Sequence, residues 1–533
     1  MKTIDEKGNL ASMSDPSQAH DALPVGGAAA VIAEPNEAVN FASADHDHAD
    51  RPTKQQKRGE DQEAKLTANV IIQFVSPEGQ PTGPQLDIPH DVTPKQLEVL
   101  LNGVLNHSED KLPYSFFIDD IELTGSLGGF LQTQNTSVES SLQVVYQPQA
   151  IFRVRPVSRC SASIPGHTEA ILSVSFSPNG KGLASAGGDC TVRFWDLGTQ
   201  SPRFTGNAHN AWVLVVAWST DAQLVASGDV QGAVWLWNPV TGKPLGQCRG
   251  HKKYITSIAW EPAHMELPSR RFVTGSKDAT VRVWDAGSRH QLFAMSSHTA
   301  AITVVKWGGD GCIYSAARDC VVNVWSADDG RLLHRLEGHG HWVNTMSLST
   351  EYVLRTGGFD HNGGAPADIQ EAKAASRSRY EAAKKSGLGE RLVTGSDDFT
   401  LCLWEPSKSK KPISRMTGHQ QLVNQVAYSP DGRWILSASF DKSVRVWDGI
   451  KGKFVATFRG HVGPVYQVAW SSDSRLEVSG SKDSTLKLWD MRQKRMVMDL
   501  PGHADEVFSV DWSPDGTAVA SGGKDRVLKL WRQ

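Results

Sequence analysis

The sequence is poor in cysteine, has little net charge and contains no long hydrophobic run. Its six cysteines among 533 residues form no C-x-x-C pair and no zinc-ligand spacing, so we expect reduced thiols instead of disulfides or zinc sites. The net charge of −3 argues against a polybasic nucleic-acid binder, although local patches could still contact RNA. No apolar stretch approaches the roughly 20 residues needed to span a bilayer. The polar start MKTIDEKGNL predicts no secretory signal, and we expect no membrane partner.

What the sequence does contain is a repeat built around histidine. Eight histidines head similar segments, most of them 41 or 42 residues apart, with two wider intervals of 47 and 80 residues. A period of about 40 to 45 residues is that of a four-stranded WD-repeat blade. The spacing therefore favours a propeller made of such blades.

Each segment repeats three further residue types at fixed distances. A tryptophan follows the histidine, a serine or threonine lies ten residues before that tryptophan, and an aspartate lies six residues before it in seven of the eight segments. Segment by segment, the four positions are His167, Ser185, Asp189 and Trp195; His209, Ser227, Gln231 and Trp237; His251, Thr274, Asp278 and Trp284; His298, Ser315, Asp319 and Trp325; His339, Thr394, Asp398 and Trp404; His419, Ser437, Asp441 and Trp447; His461, Ser479, Asp483 and Trp489; His503, Ser521, Asp525 and Trp531. With these repeated positions, residues 159–533 resemble the WD-repeat family. We therefore predict a mainly β fold that contains an eight-bladed propeller.

The repeated residues could be mistaken for the catalytic residues of a hydrolase. A catalytic triad is needed once, whereas this set occurs in every segment, which is typical of stacked structural units. We interpret each quartet as a network in which the aspartate accepts from the histidine, the histidine contacts the hydroxyl and the tryptophan N–H closes the set. Blade two has Gln231 in place of the aspartate, and we expect it to have the weakest network. Without a nucleotide-binding loop, a metal-ligand spacing or a single triad, the sequence predicts a protein that is not an enzyme and has no cofactor of its own.

Closure of the ring can also be predicted. The sequence ends two residues after Trp531, which leaves no residues for an outer strand of blade eight. The stretch Arg159–Ile164 resembles the outer strands that precede later histidines, such as Met496–Leu500. We predict that Arg159–Ile164 completes blade eight, so that the two ends of the propeller are joined without a covalent bond. Such pairing removes an exposed sheet edge.

Blade five contains an insertion. The histidine and the tryptophan are 28 residues apart in five segments but 65 apart in this one, which places 37 extra residues at about Thr350–Glu390. Asp368 could cap a helix from Ile369 to Lys385 that ends at Gly387. The segment is either a solvated surface excursion or a docking element, since long structured loops in compact domains are often functional.

The amino-terminal third differs in composition from the repeats. Residues 1–65 have no apolar period and are rich in Ala, Ser, Asp, Glu and His, which predicts a disordered tail. The basic run at 51–58 is either a nuclear-import signal or a solvated charge cluster. A small domain is predicted over 66–148, followed by a linker over 149–158.

Within 66–148, the pattern is that of a ubiquitin-like β-grasp domain. NVIIQFV, PQLDIP, YSFFID and LQVVYQP are predicted strands, and Thr93-Pro94 opens a helix over LEVLLNGVL. The order of strand, hairpin, helix and further strands matches the β-grasp. No free Gly-Gly end follows the last strand, so we expect a binding module and not a conjugated modifier.

A β-grasp domain followed by eight WD repeats is similar to the Notchless family of WD-repeat ribosome-assembly factors. The similarity covers 66–533 and includes VVYQPQAIFRVRPVSRC (Val144–Cys160), GHGHWVNTMSLST (Gly338–Thr350), LVTGSDDFTLCLW (Leu392–Trp404) and LPGHADEV (Leu500–Val507). This resemblance implies a non-catalytic assembly factor in the nucleolus and nucleoplasm, whose propeller docks on the pre-large-subunit ribosomal particle. The implied partners there are ribosomal RNA, ribosomal proteins and other assembly factors, and outside the particle we expect a monomer.

The same resemblance implies a second partner, the AAA-type ATPase midasin. In the family, an acidic side chain of the β-grasp domain completes the Mg²⁺ coordination of midasin's metal-ion-dependent adhesion site, so the ion is shared in trans. By the motif V-E-x-x-L-x-V-V-Y at 138–146, that residue corresponds to Glu139. A carboxylate suits Mg²⁺, which prefers hard oxygen ligands. The alternatives are a solvated loop carboxylate without this role, or the nearby acids Asp119, Asp120 and Glu122.

Large apolar residues recur at one position of the propeller loops. Trp212, Tyr254, Trp342 and Leu422 each lie three residues after a repeat histidine, alternating with a buried β-branched position. Exposed aromatic residues are frequent interface anchors, so these four are candidates for a propeller-face interface. The alternative is that they pack under the inserted loop. Five lysines are candidates for phosphate contacts with ribosomal RNA, namely Lys252, Lys253, Lys408, Lys410 and Lys411. The alternative is that they are solvated charges without a partner role.

Two functions of different classes remain open. The first is an assembly factor that couples the pre-ribosomal particle to the ATPase. The second is a WD-repeat adaptor in signalling, such as the Notch pathway, or in ubiquitin ligation, because a propeller fold does not fix function. Co-migration with pre-ribosomal particles would favour the first, and its absence would favour the second.

Overall fold

The computed structural model describes residues 69–77, 79–105, 113–119, 121–134, 141–148, 153–361, 364, 366, 368–384 and 389–533. The predicted tail over 1–65, with its basic run, lies outside these residues, as does the first part of the predicted linker, 149–152. Within the described part of the chain, no helix combines the length and the apolar character needed to cross a membrane.

The amino-terminal domain is a five-stranded sheet with two helices. Its elements are β1 (Asn69–Val75), β2 (Leu86–Pro89), α1 (Pro94–Val104), β3 (Tyr114–Ile118), β4 (Ile121–Glu122), α2 (Leu127–Gln134) and β5 (Leu142–Pro148). The strand order is β2-β1-β5-β3-β4, with β1 and β5 parallel and the other neighbours antiparallel. The predicted β-grasp fold is confirmed. Its core comes from alternating strand residues such as Phe74 and Phe116 and from one face of α1, where Leu97 and Leu101 are buried.

The remaining strands form eight four-stranded antiparallel sheets, the blades of the propeller. The first strands are β7 (Ile171–Phe176), β11 (Val213–Trp218), β15 (Ile255–Trp260), β19 (Ile302–Trp307), β23 (Val343–Leu348), β27 (Val423–Tyr428), β31 (Val465–Trp470) and β35 (Val507–Trp512). The second strands are β8 (Gly182–Gly187), β12 (Val225–Asp229), β16 (Arg271–Ser276), β20 (Cys312–Ala317), β24 (Leu392–Ser396), β28 (Trp434–Ser439), β32 (Leu476–Ser481) and β36 (Val519–Gly523). The third strands are β9 (Val192–Asp196), β13 (Val234–Trp237), β17 (Val281–Asp285), β21 (Val321–Ser326), β25 (Leu401–Trp404), β29 (Ser443–Asp448), β33 (Thr485–Asp490) and β37 (Val527–Arg532). The outer strands are β10 (Ser201–Gly206), β14 (Pro244–Cys248), β18 (Gln291–Met295), β22 (Leu332–Glu337), β26 (Ser414–Met416), β30 (Phe454–Arg459), β34 (Arg495–Pro501) and, for blade eight, β6 (Arg159–Pro165).

Neighbouring blades pack face to face around the ring. The second strand of a blade is buried on both sides, as in β24, where every residue is buried. Glycines in these strands let the next blade approach closely: a Cβ on Gly228 would lie 2.6 Å from Ile255 of the following blade. A Cβ on Gly522 of blade eight would likewise lie 2.5 Å from Ile171 of blade one. The last blade therefore packs on the first, and the predicted propeller is confirmed as a closed ring of eight blades.

Blade eight takes its outer strand from the other end of the propeller sequence. β6 pairs antiparallel with β37, from Pro165 opposite Val527 at one end to Arg159 opposite Arg532 at the other. The predicted closure by Arg159–Ile164 is confirmed. Among the described sheets, blade eight is the only blade whose four strands are not consecutive in the sequence. Its outer strand is therefore held by hydrogen bonds and not by a loop to the third strand.

The insertion of blade five contains two helices, α3 (Glu351–Thr356) and α4 (Ile369–Lys384). The predicted helix is confirmed as α4, whose first turn is capped by Asp368 through a 2.7 Å hydrogen bond from the Glu371 N–H. The short helix α3 is an addition to the prediction. A purely solvated excursion is excluded, because α4 is anchored on the propeller through Tyr380, which is 5% exposed.

Candidate functional site

The antiparallel strands give the propeller two distinct faces. The first strand of each blade begins, and the second strand ends, at the face that carries the repeat histidines, which we call the His face. The loops between first and second strands lie at the other end of the blades, which we call the opposite face. The insertion belongs to the opposite face, because it joins β23 to β24.

At the His face, the eight quartets form hydrogen-bonded networks. In blade six, His419 Nδ1 lies 2.7 Å from Asp441 Oδ2, and its Nε2 lies 2.7 Å from Ser437 Oγ. The Trp447 indole N–H donates to the same hydroxyl at 2.8 Å. Equivalent contacts occur in the other seven blades. Each of the eight histidine side chains is at most 1% exposed, so the buried polar groups of these loops satisfy one another.

The hydrogen bonds also affect the charge of the quartets. The Asp441 carboxylate accepts the Nδ1 proton of His419, and the imidazole shares a hydrogen bond with the Ser437 hydroxyl at Nε2. Burial opposes the charge of Asp441, but the hydrogen bond from His419 outweighs it and lowers the pKa of the carboxyl well below its ordinary value. Burial lowers the pKa of His251 in blade three, which favours its neutral form. The serine or threonine of every quartet is 0% exposed, so none of these hydroxyls is accessible to a substrate.

The expected weak network of blade two is not found, and that expectation is wrong. Asp229, at the end of β12, supplies the missing carboxylate, and its Oδ2 lies 2.8 Å from His209 Nδ1. Its Oδ1 accepts the backbone N–H groups of Gln231 and Ala233 at 2.9 and 2.8 Å. Asp229, two residues before the usual aspartate position, therefore binds His209 in this blade, and the turn at Gln231 and Ala233 folds around its carboxylate.

The four apolar residues predicted for an interface all lie at the His face. Trp342 is 36% exposed, and the other three, Trp212, Tyr254 and Leu422, are half-buried. The Arg318 guanidinium lies over the Trp342 ring, with 4.4 Å between Cζ and the ring centre. Lys277 lies over Tyr254 in the same way, with Nζ 4.9 Å from the ring centre. The alternative that these residues pack under the insertion is wrong, because the insertion lies at the opposite face.

The predicted basic contacts are divided between the two faces. Lys252 and Lys253 are exposed at the His face. The other three lysines lie within 408–411, between β25 and β26, which is at the opposite face. Lys408 pairs there with Glu405, with 2.8 Å between Nζ and Oε1. The five lysines therefore do not form one basic patch.

The β-grasp domain docks on the opposite face, over blades six and seven. Arg492, in the turn after β33, donates to Glu122 of β4 at 3.0 Å through Nε and at 2.5 Å through Nη2. The Arg433 guanidinium carbon lies 3.6 Å from the centre of the Phe117 ring and 4.4 Å from that of Trp434. A cleft of about 860 Å³ remains between the domain, the two blades and α3. The contact between the domains is thus made largely by charged side chains and aromatic rings.

The residues that lead from the β-grasp domain into β6 are held between blades seven and eight. The Val154 N–H donates to Asp473 Oδ2 at 2.8 Å, and the Val154 carbonyl accepts from Arg475. Val154 and Val157 are 3% and 0% exposed. Residues 153–158 of the predicted linker are therefore packed on the propeller, and only their two valines signal this in the sequence.

The acidic candidates of the β-grasp domain differ in their surroundings. Glu139 and Asp120 lie outside the described residues. Glu122 is taken up by the ion pair with Arg492, whereas Asp119 is exposed in the turn before β4. Among the residues that the structure describes, no group of three or more His, Cys, Asp or Glu could hold a metal ion.

The position of β5 relates Glu139 to the propeller. Leu142, three residues after Glu139, begins β5, while Gln147 near the end of that strand donates to Asp431 of blade six at 3.4 Å. Five residues of strand at about 3.3 Å each separate the two ends by roughly 17 Å. The start of β5 therefore lies roughly 17 Å from this contact with blade six.

Comparison with known families matches both parts of the chain. The NLE (NUC135) domain matches residues 70–131. The WD domain, G-beta repeat, matches seven segments, at 158–196, 200–238, 242–285, 289–326, 410–448, 452–490 and 494–532. These segments leave out 327–409, the blade whose repeat is interrupted by the insertion.

Individual relatives extend this similarity over most of the chain. The chain is 56% identical to the Notchless protein homolog of Arabidopsis thaliana, over 73% of this chain and 82% of that one. It is 47% identical to Protein Notchless of Drosophila melanogaster, over 71% and 78%, and 46% identical to Ribosome assembly protein 4 of Saccharomyces cerevisiae, over 73% and 80%. The crystal structure of the computationally designed Ika8 protein superposes with a TM-score of 0.56 at 24% identity, over 70% of this chain and all of that one, and supports the fold alone.

Proposed function

The chain belongs to the Notchless family of WD-repeat ribosome assembly proteins, and on that premise we propose that it couples the maturing large ribosomal subunit to the ATPase midasin. In this proposal the propeller docks on the pre-ribosomal particle, and the β-grasp domain binds the adhesion site of the ATPase. The protein acts as a scaffold in the nucleolus and nucleoplasm and performs no chemistry itself. The observation that carries the proposal is the placement of the two domains: the β-grasp domain lies at one face of the propeller and leaves the His face uncovered by it.

Glu139 is the residue that we propose for the ATPase. It would supply one carboxylate oxygen to the Mg²⁺ of the adhesion site, whose octahedral shell accepts such a ligand. Two observations support this choice over the neighbouring acids. Glu122 is engaged by Arg492, and the start of β5, which follows Glu139 in the sequence, lies roughly 17 Å from the contact of Gln147 with the propeller.

The His face is the surface that we propose for the particle. The quartets hold its loops in place, and Trp342 with Arg318 above its ring offers an exposed aromatic and cationic surface. Lys252 and Lys253 are exposed on the same face and could contact phosphates of ribosomal RNA. These features suit a rigid docking surface, because aromatic and arginine side chains are frequent interface anchors.

Substitution of Glu139 tests the link to the ATPase. We expect Glu139→Ala to weaken Mg²⁺-dependent binding of the full chain to the purified adhesion-site domain of midasin at least about tenfold, since even an outer-sphere change at a metal site has effects of that size. The measurement is isothermal titration in the presence of Mg²⁺ and after its removal by EDTA. Asp119→Ala, which removes an exposed acid of the same domain, is the matched control and is expected to bind normally. Normal Mg²⁺-dependent binding by the Glu139 variant would reject the assignment.

Density-gradient sedimentation separates this function from that of a signalling adaptor. Co-migration of the protein with pre-large-subunit particles supports the assembly role. A protein that remains at the top of the gradient in growing cells would instead favour the signalling adaptor.

A further inference from the structure

The insertion of blade five reaches across the propeller to the junction between blades eight and one. Arg355, near the end of α3, donates through Nη1 and Nη2 to Asp511 of β35 at 2.8 and 2.5 Å. Its Nη2 also donates to the Phe176 carbonyl of β7 at 3.1 Å. One side chain of blade five thus contacts the first strands of both blades at this junction, which we call the seam.

The seam has its own hydrogen bonds, and Arg355 joins them. The Phe176 N–H donates to Asp511 Oδ2 at 2.8 Å, and the Val174 N–H donates to Ser509 Oγ at 3.0 Å. Asp511 is 13% exposed, so its carboxylate depends on the Phe176 N–H and on Arg355 for its hydrogen bonds. One carboxylate therefore links blade one, blade eight and the insertion.

A second contact fixes α3 to the seam. The Tyr352 hydroxyl donates to the carbonyl of Pro514, in the loop after β35, at 3.0 Å. Tyr352 and Arg355 lie three residues apart and therefore project from the same side of the helix. Both contacts with blade eight come from this one side of α3.

The insertion is also fastened to blades three and four. Glu351, at the start of α3, pairs with Lys306 of β19 and accepts from Ser347 Oγ at 2.5 Å. Tyr380 of α4 stacks on His264, with 4.4 Å between ring centres, and donates to Asp310 Oδ1 at 3.0 Å. The insertion is thus held by blades three and four as well as by the seam.

The two helices are also joined to each other. Arg379 of α4 donates to Thr356 Oγ1 at 2.9 Å and to the Gly357 carbonyl at 2.7 Å, at the end of α3. A Cβ on Gly357 would lie 3.0 Å from the Thr220 carbonyl of blade two, so this turn also rests on the ring. A displacement of α3 would therefore disturb α4 and its contacts with blade three.

The seam is the junction where such support matters most. Blade eight is completed by β6, and β6 follows directly on the packed residues 153–158 that lead from the β-grasp domain. A pull on that domain that overcame the contacts of Val154 with the propeller would act next on β6. We propose that the insertion of blade five is an internal brace that holds the seam between blades eight and one closed. That the brace resists a load applied by an ATPase rests on the proposed function, whereas the bracing itself does not.

Residue-resolved hydrogen exchange of the full chain tests the brace. In Arg355→Met, the amides of Val174 and Phe176 are expected to exchange about tenfold faster or more, because the opening free energy of the seam falls when a charged hydrogen-bond partner is lost. Tyr352→Phe removes a neutral hydrogen bond and is expected to raise the same exchange rates by about threefold or more. The Val468 amide, which donates to Gln425 Oε1 at 2.6 Å between blades six and seven, serves as the internal control. Its exchange is expected to stay unchanged.

Arg377→Met is the matched control variant. Arg377 lies on the outward side of α4 and pairs with Glu381 of the same helix at 3.0 Å, so its loss should leave the seam amides unaltered. Unchanged seam exchange in both brace variants, or an equal increase at the seam and at Val468, would overturn the proposal. If Arg355→Met does not fold, Tyr352→Phe removes a single hydroxyl and still gives a result. Glu139→Ala must leave seam exchange unchanged, which separates failure of the brace from failure of the proposed link to the ATPase.

Discussion

At the His face of the propeller, the repeated hydrogen bonds stay within one blade, whereas at the opposite face charged side chains cross between blades and domains. The quartet of His419, Asp441 and Ser437 belongs to blade six alone. Arg355 of blade five, in contrast, reaches blade eight, and Arg492 of blade seven reaches the β-grasp domain. The first kind of contact stabilises each blade separately, and the second kind connects parts of the chain that are distant in sequence.

This difference separates two tasks on one ring. Networks confined to single blades keep the loops of the His face rigid, and a rigid surface loses little conformational entropy when a partner binds. Contacts that cross the opposite face make the position of the β-grasp domain depend on several blades at once. A displacement of that domain is therefore expected to shift blades six, seven and eight before it alters the loops of the His face.

The largest expected effect is that of acid on the His face. Seven quartet aspartates have a pKa lowered below the ordinary value of 3.8, because their histidines donate to the charged form against the opposing effect of burial. The unfolded chain therefore takes up more protons as the pH falls, and the stability that these groups provide above about pH 4 is lost progressively below it. The lowered pKa of His251 acts in the same direction below pH 6.5. We expect the urea midpoint, followed by tryptophan fluorescence, to begin to fall below pH 6.5 and to fall steeply below about pH 4.

The opposite face should respond differently to acid. Burial raises the pKa of Glu390, at the end of the insertion, and this carboxyl accepts the Gly309 N–H at 3.1 Å. A raised pKa means that its contribution is retained at low pH and is lost only as the pH rises through that pKa. Limited proteolysis of the insertion should therefore not become faster as the pH falls from 7 to about 5, a range that lies above the ordinary carboxyl pKa values. Faster cleavage of the insertion at pH 5 than at pH 7, with unaltered tryptophan fluorescence, would show that the opposite face is more sensitive to acid than the His face.

The next largest effect concerns blade two. We expect Asp229→Ala to lower the free energy of unfolding by about 3 kcal/mol, because it leaves the buried His209 side chain and two backbone N–H groups without their acceptor. Gln231→Ala, two residues away, should change it by less than about 0.5 kcal/mol, as is usual for a surface substitution. Equilibrium urea unfolding measures both values. Equal effects of the two substitutions would show that the carboxylate of Asp229 is not the acceptor that completes this blade.

Blade two also shows how far sequence reasoning reaches. The fold, the ring closure and the quartets were predictable because the same residue types recur eight times at fixed distances, so a single departure does not hide the pattern. The role of Asp229, two residues before the usual aspartate position, was missed because a fixed spacing assumes that every turn has the same shape. The strand β4 has two residues and the helix α2 contains two glycines, so neither shows the periodicity or propensity of its class.

Contacts between distant parts of the chain were beyond the sequence for a different reason. Arg355 and Asp511 are 156 residues apart, and neither lies in a local pattern that marks the other as its partner. The same holds for Arg492 and Glu122, which are 370 residues apart. Only the folded ring brings such residues together. The local networks of the His face could therefore be predicted, and the crossing contacts of the opposite face could not.

The smallest expected effect on stability comes from the contact between the domains. Arg492 and Glu122 are 43% and 20% exposed, and exposed ion pairs contribute at most about 1 kcal/mol. Arg492→Ala should therefore leave the urea midpoint of the propeller almost unchanged. It should, however, broaden the distance distribution between spin labels on the β-grasp domain and on blade two, measured by electron paramagnetic resonance. High salt should broaden the wild-type distribution in the same way, because it screens the ion pair.

Arg495→Ala is the control for this prediction, because Arg495 is exposed nearby and donates to Gln493 at 2.7 Å. A distribution that stays narrow in Arg492→Ala would mean that Arg433, between Phe117 and Trp434, holds the domain without the ion pair. Movement of the domain is bounded in either case. Val154 is buried against blades seven and eight and lies six residues after Pro148, the last residue of β5. Six residues of chain span at most about 20 Å. Displacements of the domain well beyond that reach would require Val154 to leave its site. Such displacements in Arg492→Ala would mean that the ion pair between Arg492 and Glu122 holds the domain more strongly than its exposure predicts.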